Sequence, residues 1–194
     1  MSAASPSAPV KPSARDRLLA AADELFYAEG VHTVGIDRVI ERAGVAKASL
    51  YSSFGSKDEL VRAYLEARHE RRRARVMNGL ARFDNPRDRL LGVFDVLGEV
   101  AAQPGYRGCA FYNANAESPS SGPAAEVAAK SRAWTRGLFA ELAADAGAHD
   151  PSALADQLMV LYDGAMVGSR MEPARDLAAL ARSAAATLLD AATA

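Results

Sequence analysis

Apolar residues recur along this chain at intervals of three and four rather than two, a period that argues for helices throughout. Leu18, Ala22, Leu25 and Phe26 line one face of a first helix that begins near Ala14 and is ended by Gly30. Ile36, Val39 and Ile40 mark a second helix from about Gly35 to Ala43, stopped by Gly44. Val45 then turns inward, and a third helix from Ala46 to Phe54 sets Leu50 and Phe54 toward the core at i, i+4 spacing. Gly55 closes it, and Ser56 with Glu59 has the spacing of a capping box for a long helix from Lys57 to about Arg82. Asn85-Pro86 opens the next, with Leu90, Val93, Phe94, Leu97 and Val100 on one side and Pro104-Gly105 at its end. RGCAFYNANAES follows as a central segment. Two longer helices, Gly122-Pro123 to Ala146 and about Pro151 to Met171, precede a last one from Pro173 to the C-terminus. The alternation expected of strands is missing, so the predicted fold is all-α.

The stretch Gly30 to Leu60 has a specific shape: two short helices around a tight turn, the second carrying small and polar residues on its outer side. A helix of that kind fits a major groove with its N-terminal residues near base edges. Lys47 is the leading candidate for a base-edge or phosphate contact, Ser49 and Ser52 for base edges, and Tyr51 with Lys57 for phosphates, with Ala48 and Ser53 on the same outward face. The free N–H groups behind Ser56 offer a further phosphate site.

Ala43-Gly44-Val45, Ala46-Lys47, Tyr51-Ser-Ser-Phe54 and Lys57 with Leu60 together resemble the TetR family of bacterial transcriptional regulators over roughly residues 14 to 65. One position departs from the family pattern: Gly35 stands where members usually cap the first motif helix with Thr, which leaves Thr33 or Arg38 to make that phosphate contact. The resemblance implies a three-helix helix-turn-helix DNA-binding domain at the N-terminus, followed by a C-terminal helical bundle for ligand binding and dimerisation. On that basis residues 1–13, rich in Ser, Ala and Pro, read as a disordered arm. Residues 14–60 read as the DNA-binding domain and 61–194 as the helical bundle.

A net charge of −1 is unexpected for a DNA binder until it is divided along the chain. From Lys11 to Arg75 there are 13 Lys or Arg against 10 Asp or Glu, a net of +3; from Val76 onward 10 stand against 14, a net of −4. The positive field lies with the turn motif and the acidic remainder is repelled by DNA. Arg68, Arg71, Arg72, Arg73 and Arg75 read first as a solvated helix face, the alternative being a DNA-facing role that requires the C-terminal half of that helix to point at the duplex. An apolar share of 49% supports a real core, and with no run of about 18 apolar residues and no signal peptide the expected location is cytoplasmic. One cysteine and three scattered histidines form neither a disulfide framework nor a metal-ligand spacing, so no metal, cofactor or catalytic residue is expected.

The last two helices carry more apolar residues than one surface tolerates. Leu154, Leu158, Leu161 and Ala165 on one and Leu177, Leu180, Ala184 and Leu188 on the other are expected to pair across a two-fold axis, giving a homodimer that reads a pseudo-palindromic double-stranded operator. Phe94, Leu97, Cys109, Phe111, Tyr112, Asn113, Glu117, Trp134, Leu138, Tyr162, Asp163 and Met166, with Asn115 nearby, are candidates to line an apolar pocket with a few polar anchors for a small-molecule effector. Its occupation would release DNA, which makes a repressor the expected sense. Cys109 has two readings: a small apolar filler, or a thiol sensor activated by Arg107, as the RGC…N…E surroundings of some TetR-like regulators imply. An enzyme built on Cys109 lacks a neighbouring base, and a pure protein-interaction module would show no salt-dependent DNA affinity.

Overall fold

Ser13 opens the folded chain. Its hydroxyl accepts the Asp16 N–H at 3.1 Å while the Asp16 carboxylate accepts the Ser13 N–H at 3.1 Å, the reciprocal cap that launches α1 (Ala14–Glu29). The computed structural model describes residues 12–117 and 121–194, so residues 1–11 of the expected arm lie outside the described residues. Every regular element among the described residues is an α-helix.

Gly44 is in the left-handed conformation at φ 62°, ψ 44°, which lets α2 (Ile36–Ala43) and α3 (Lys47–Phe54) meet across three residues. Val39, Ala43 and Leu50 are buried against Leu18, Ala22 and Phe26 of α1. The 24 residues of α4 (Lys57–Leu80) run about 36 Å. The Ser56 hydroxyl accepts the Glu59 N–H at 3.1 Å, but the Glu59 carboxylate turns to Arg62 Nε at 3.2 Å, so the expected capping box is only half formed.

Asn85 caps α5 (Pro86–Ala101) through the Asp88 N–H at 2.8 Å. The central segment, to which the sequence pattern assigns no element, forms α6 (Ala110–Glu117). Three helices follow: α7 (Pro123–Asp145), α8 (Pro151–Met171) and α9 (Leu177–Thr193). The last starts four residues later than Pro173 suggests, because Asp176, not Pro173, caps it by accepting the Ala179 N–H at 2.9 Å.

The apolar interior divides in two. One cluster joins α1, α2, α3 and the first turns of α4 to Ala110, Phe111 and Ala114 of α6 and Ala124 and Val127 of α7. The other packs α5, α7, α8 and α9 around Phe94, Phe139, Leu158 and Leu189, with Val76 and Leu80 from the far end of α4. The long helix belongs to both clusters, and His69 and Arg72 occupy its inward face between them.

This packing corrects part of the expected pairing surface. Leu154, Leu158 and Ala165 are buried in the chain's own core, because α8 is apolar on two sides and its inner side packs against α7 and α9, with α5 beyond. Leu161, Leu177 and Leu188 are partly buried, Leu177 lying over the bare Gly168 backbone. What α8 and α9 leave outside is Val160, 70% exposed, Met171, 76%, and Leu180, 54%, with Val167, Gly164 and Ala184.

Candidate nucleic-acid interface and effector cavity

Neither α2 nor α3 has a side-chain N-cap, since Gly35 and Ala46 hold the cap positions. Their first N–H groups are therefore open to an outside acceptor. Lys47, Ala48, Tyr51 and Ser52 are exposed on α3, with Tyr51 at 47%, while Ser49 and Ser53 are half-buried. The Ser52 hydroxyl donates back to the Ser49 carbonyl at 3.2 Å. Thr33 is exposed in the turn before α2, and Lys57 lies half-buried at the start of α4.

Three cations of this face already have an anion. Lys47 Nζ donates to Asp37 Oδ1 at 3.0 Å, which raises the lysine pKa above its usual value. Arg38 forms a bidentate pair with Glu29 at 2.7 and 3.0 Å, and that hydrogen bonding holds the Glu29 carboxyl below the ordinary range. Arg42 pairs with Glu24 at 2.8 Å. Phe54, expected wholly inside, is half-buried and lies under the Arg15 guanidinium, 4.4 Å from its ring centre.

Two cavities lie beyond the first cluster. One, of about 130 Å³, is walled by α4, α5 and α6. The other, of about 500 Å³, opens between α6, α7 and α8. Arg72, Cys109, Phe111, Tyr162 and Met166 border both. Of the remaining pocket candidates, Leu97 lines the smaller, and Tyr112, Asn115 and Asp163 line the larger.

The others are engaged elsewhere. Phe94 and Leu138 are core of the second cluster, and half-buried Trp134 packs edge-on to His69, 5.8 Å between centres. Asn113 donates to the Arg107 carbonyl at 3.0 Å and accepts from Arg170 Nη1 at 3.0 Å. Glu117 reaches back to the turn after α1, accepting the His32 N–H at 3.1 Å. Gly30 there has φ +99°, and a Cβ on it would stand 2.7 Å from Glu117 Oε1. Cys109 is half-buried, its Sγ accepting the Tyr112 N–H at 3.4 Å.

The arginine run of α4 is a solvated face in part: Arg71, Arg73 and Arg75 are exposed, while Arg68 and Arg72 are half-buried. Arg68 lies on the Tyr27 ring at 3.8 Å and pairs with Asp23 at 2.7 Å, Arg71 meets the same carboxylate at 2.5 Å, and Arg72 turns inward. The signal for Arg72 was its place on the inward stripe Leu65, His69, Arg72, Val76, Leu80, spaced 4-3-4-4. Tyr106 was also missed: its hydroxyl donates to the Met166 carbonyl at 3.0 Å, and burial pushes its pKa up.

A short outward helix set on a three-helix unit, joined by one long helix to a cavity-bearing bundle, is the build of a helix-turn-helix regulator. Residues 18–64 match the model of the bacterial regulatory proteins of the tetR family. The crystal structure of a TetR-family transcriptional regulator from Streptomyces coelicolor is 33% identical, with a TM-score of 0.87 over 93% of this chain and 96% of that one. A TetR-type regulator from Streptomyces avermitilis is 37% identical, with a TM-score of 0.82 over 93% and 98%. The transcriptional activator FasR of Mycolicibacterium smegmatis is 33% identical over 135 residues, 69% of this chain and 60% of that protein's length. The chain belongs to the TetR family of DNA-binding transcriptional regulators. No helix among the described residues is long and apolar enough to cross a membrane.

Proposed function

We propose that this regulator is a ligand-responsive repressor that binds a pseudo-palindromic operator as a homodimer and leaves it when a small molecule enters the bundle. The observation that carries the reading is the continuity of α4, which starts beside α3 and ends as a wall of the smaller cavity. A ligand that favours a different tilt of α4 shifts the reading helices with it.

Lys47, Tyr51, Ser49 and Ser52 of α3, with Lys57, Thr33 and Arg38 beside them, make up the DNA face in this reading. Phosphates replace Asp37 and Glu29 as partners of Lys47 and Arg38, a small cost for exposed ion pairs. Residues 14–60 serve as the DNA-binding domain and α8 with α9 as the dimer contact, through Val160, Gly164, Val167, Met171, Leu180 and Ala184. Two copies with a two-fold axis present two α3 helices one helical turn of DNA apart. Such a regulator works in the cytoplasm.

Activation in place of repression has one supporting observation, the activator name of FasR. The operator's distance from the promoter decides between them, so a reporter with the operator moved upstream separates the two.

Fluorescence anisotropy with DNA flanking the coding region, at two salt concentrations and beside Lys47→Ala and Tyr51→Phe, tests the core of the proposal. Binding that falls with salt and weakens in both variants is expected. Salt-insensitive binding, or a monomer in sedimentation at micromolar concentration, overturns it. Cys109→Ser retaining full response to electrophiles would remove the thiol-sensor version.

A further inference from the structure

Arg72 is a half-buried cation held against the bundle by groups that carry no charge. Its Nη1 donates to Ser131 Oγ at 2.9 Å and its Nη2 to Thr135 Oγ1 at 2.6 Å, and both hydroxyl residues are buried. The Tyr162, Trp134 and Phe111 rings stand around the guanidinium at 5.5, 5.8 and 5.9 Å. Its Nε is buried without a hydrogen-bond partner, and no carboxylate among the described residues pairs with it. The neighbours on α4 are different: Arg68 and Arg71 share Asp23, and Arg73 meets Glu70 at 3.6 Å.

A guanidinium does not shed its charge, so burial cannot be relieved by deprotonation. Hydroxyls and ring faces offset part of the lost hydration, but the buried Nε has no partner, and a half-buried cation without an anion gains by meeting one. The smaller cavity borders this group and is lined by Arg68, Arg71, Arg72 and Arg75 with no Asp or Glu among its walls. Arg75, like Arg72, has no ion pair among the described residues. Val96, Leu97 and Val100 supply the apolar side of the same space.

We propose that the effector site takes a small organic anion, a monocarboxylate with one ring or a short acyl chain, whose carboxylate is bound by Arg72. The proposal rests on the reading of the bundle as an effector domain and adds the charge class of the ligand. Arg72 borders both cavities, of about 130 and about 500 Å³, and since about 150 Å³ takes up benzene, the two together admit a ring or short acyl chain with its carboxylate. The planar fork of an arginine recognises a carboxylate in two parallel hydrogen bonds, which a neutral amide of the same shape cannot reproduce.

The test uses the full-length protein and the probes benzoate, 1-naphthoate and hexanoate, each beside its primary amide. Calorimetry gives the affinities, and the emission of Trp134, the only tryptophan, reports occupation next to Arg72. At least one carboxylate is expected to bind about tenfold or more tighter than its amide, a ratio worth one strong charge-assisted contact. The ratio falls to near one in Arg72→Met and is partly kept in Arg72→Lys. A merely structural Arg72 would change melting without changing the ratio. If Arg72→Met does not fold, Arg72→Lys decides, and an unchanged ratio there counts against the proposal.

No carboxylate outperforming its amide, or a preference that survives Arg72→Met, overturns the anion site. Anisotropy on operator DNA separates this from the parent reading. Amides that release DNA as well as acids do would sink the anion site and keep the ligand response. Carboxylates that bind at Arg72 without altering DNA affinity would do the reverse.

Discussion

On the outer face of α2 and α3, Arg38, Arg42 and Lys47 each close an ion pair with a carboxylate in open water, whereas Arg72, about four turns along α4, bonds only to two hydroxyls. The first arrangement is cheap to form and cheap to exchange, because solvent screens both partners. The second has no carboxylate partner to exchange among the described residues. An exposed cation with a loose partner suits a surface that must let go of one anion to take another, and a half-buried cation without one suits a site that waits for its anion. One sequence run, Arg68 to Arg75, holds half-buried and exposed arginines side by side.

The contrast can be tested at several strengths. The bundle core should respond most: Leu158→Ala, at a fully buried position, is expected to cost about 2–5 kcal/mol in urea unfolding. Lys47→Ala should leave the urea midpoint where it was while weakening operator binding about tenfold. Asp37→Asn, which frees Lys47 from its pair, should act in the opposite direction at low salt. Equal losses of stability in Leu158→Ala and Lys47→Ala would erase the distinction between the regions.

A smaller effect should follow pH. Burial lowers the pKa of His69 from the usual 6.5, so its neutral form belongs to the folded state. The unfolded chain then binds the extra proton, and the contribution of His69 is complete above about pH 6.5 and declines as pH falls through the lowered value. His69→Leu should flatten that part of the stability curve, measured by thermal melting from pH 7.5 to 5. Least of all, Arg38→Gln should leave melting unchanged within error, since its pair with Glu29 is exposed.

Much of this architecture was legible because local signals agreed. Gly44, Ser56 and Asn85-Pro86 punctuate the chain at the α2–α3 turn and at the starts of α4 and α5, and the periodicity between them is helical. The small α6 was not legible, since only Ala110, Phe111 and Ala114 are buried on it and alanines carry little periodic signal. The two-sided apolar pattern of α8 does not say which side is core, which is why Leu154, Leu158 and Ala165 were expected on the outside. Candidate pocket residues were chosen by polarity and aromatic character. That choice passed over Arg72 in a run of charges and included Asn113 and Glu117, whose polar atoms are satisfied by Arg107, Arg170 and His32.

The Glu117 contact has a mechanical consequence. A body attached by one helix can swing about that helix in any direction. The three-helix unit is instead held at several points: along α4 through Leu60 to Leu65, at Gly30–His32 through the end of α6, and at Tyr27, whose hydroxyl donates to the Gly108 carbonyl at 3.1 Å and accepts the Arg107 N–H at 2.9 Å. Ties on both sides of α1 suppress a free swing, so a displacement of α6 would be passed to the unit and carry α3 along a restricted path.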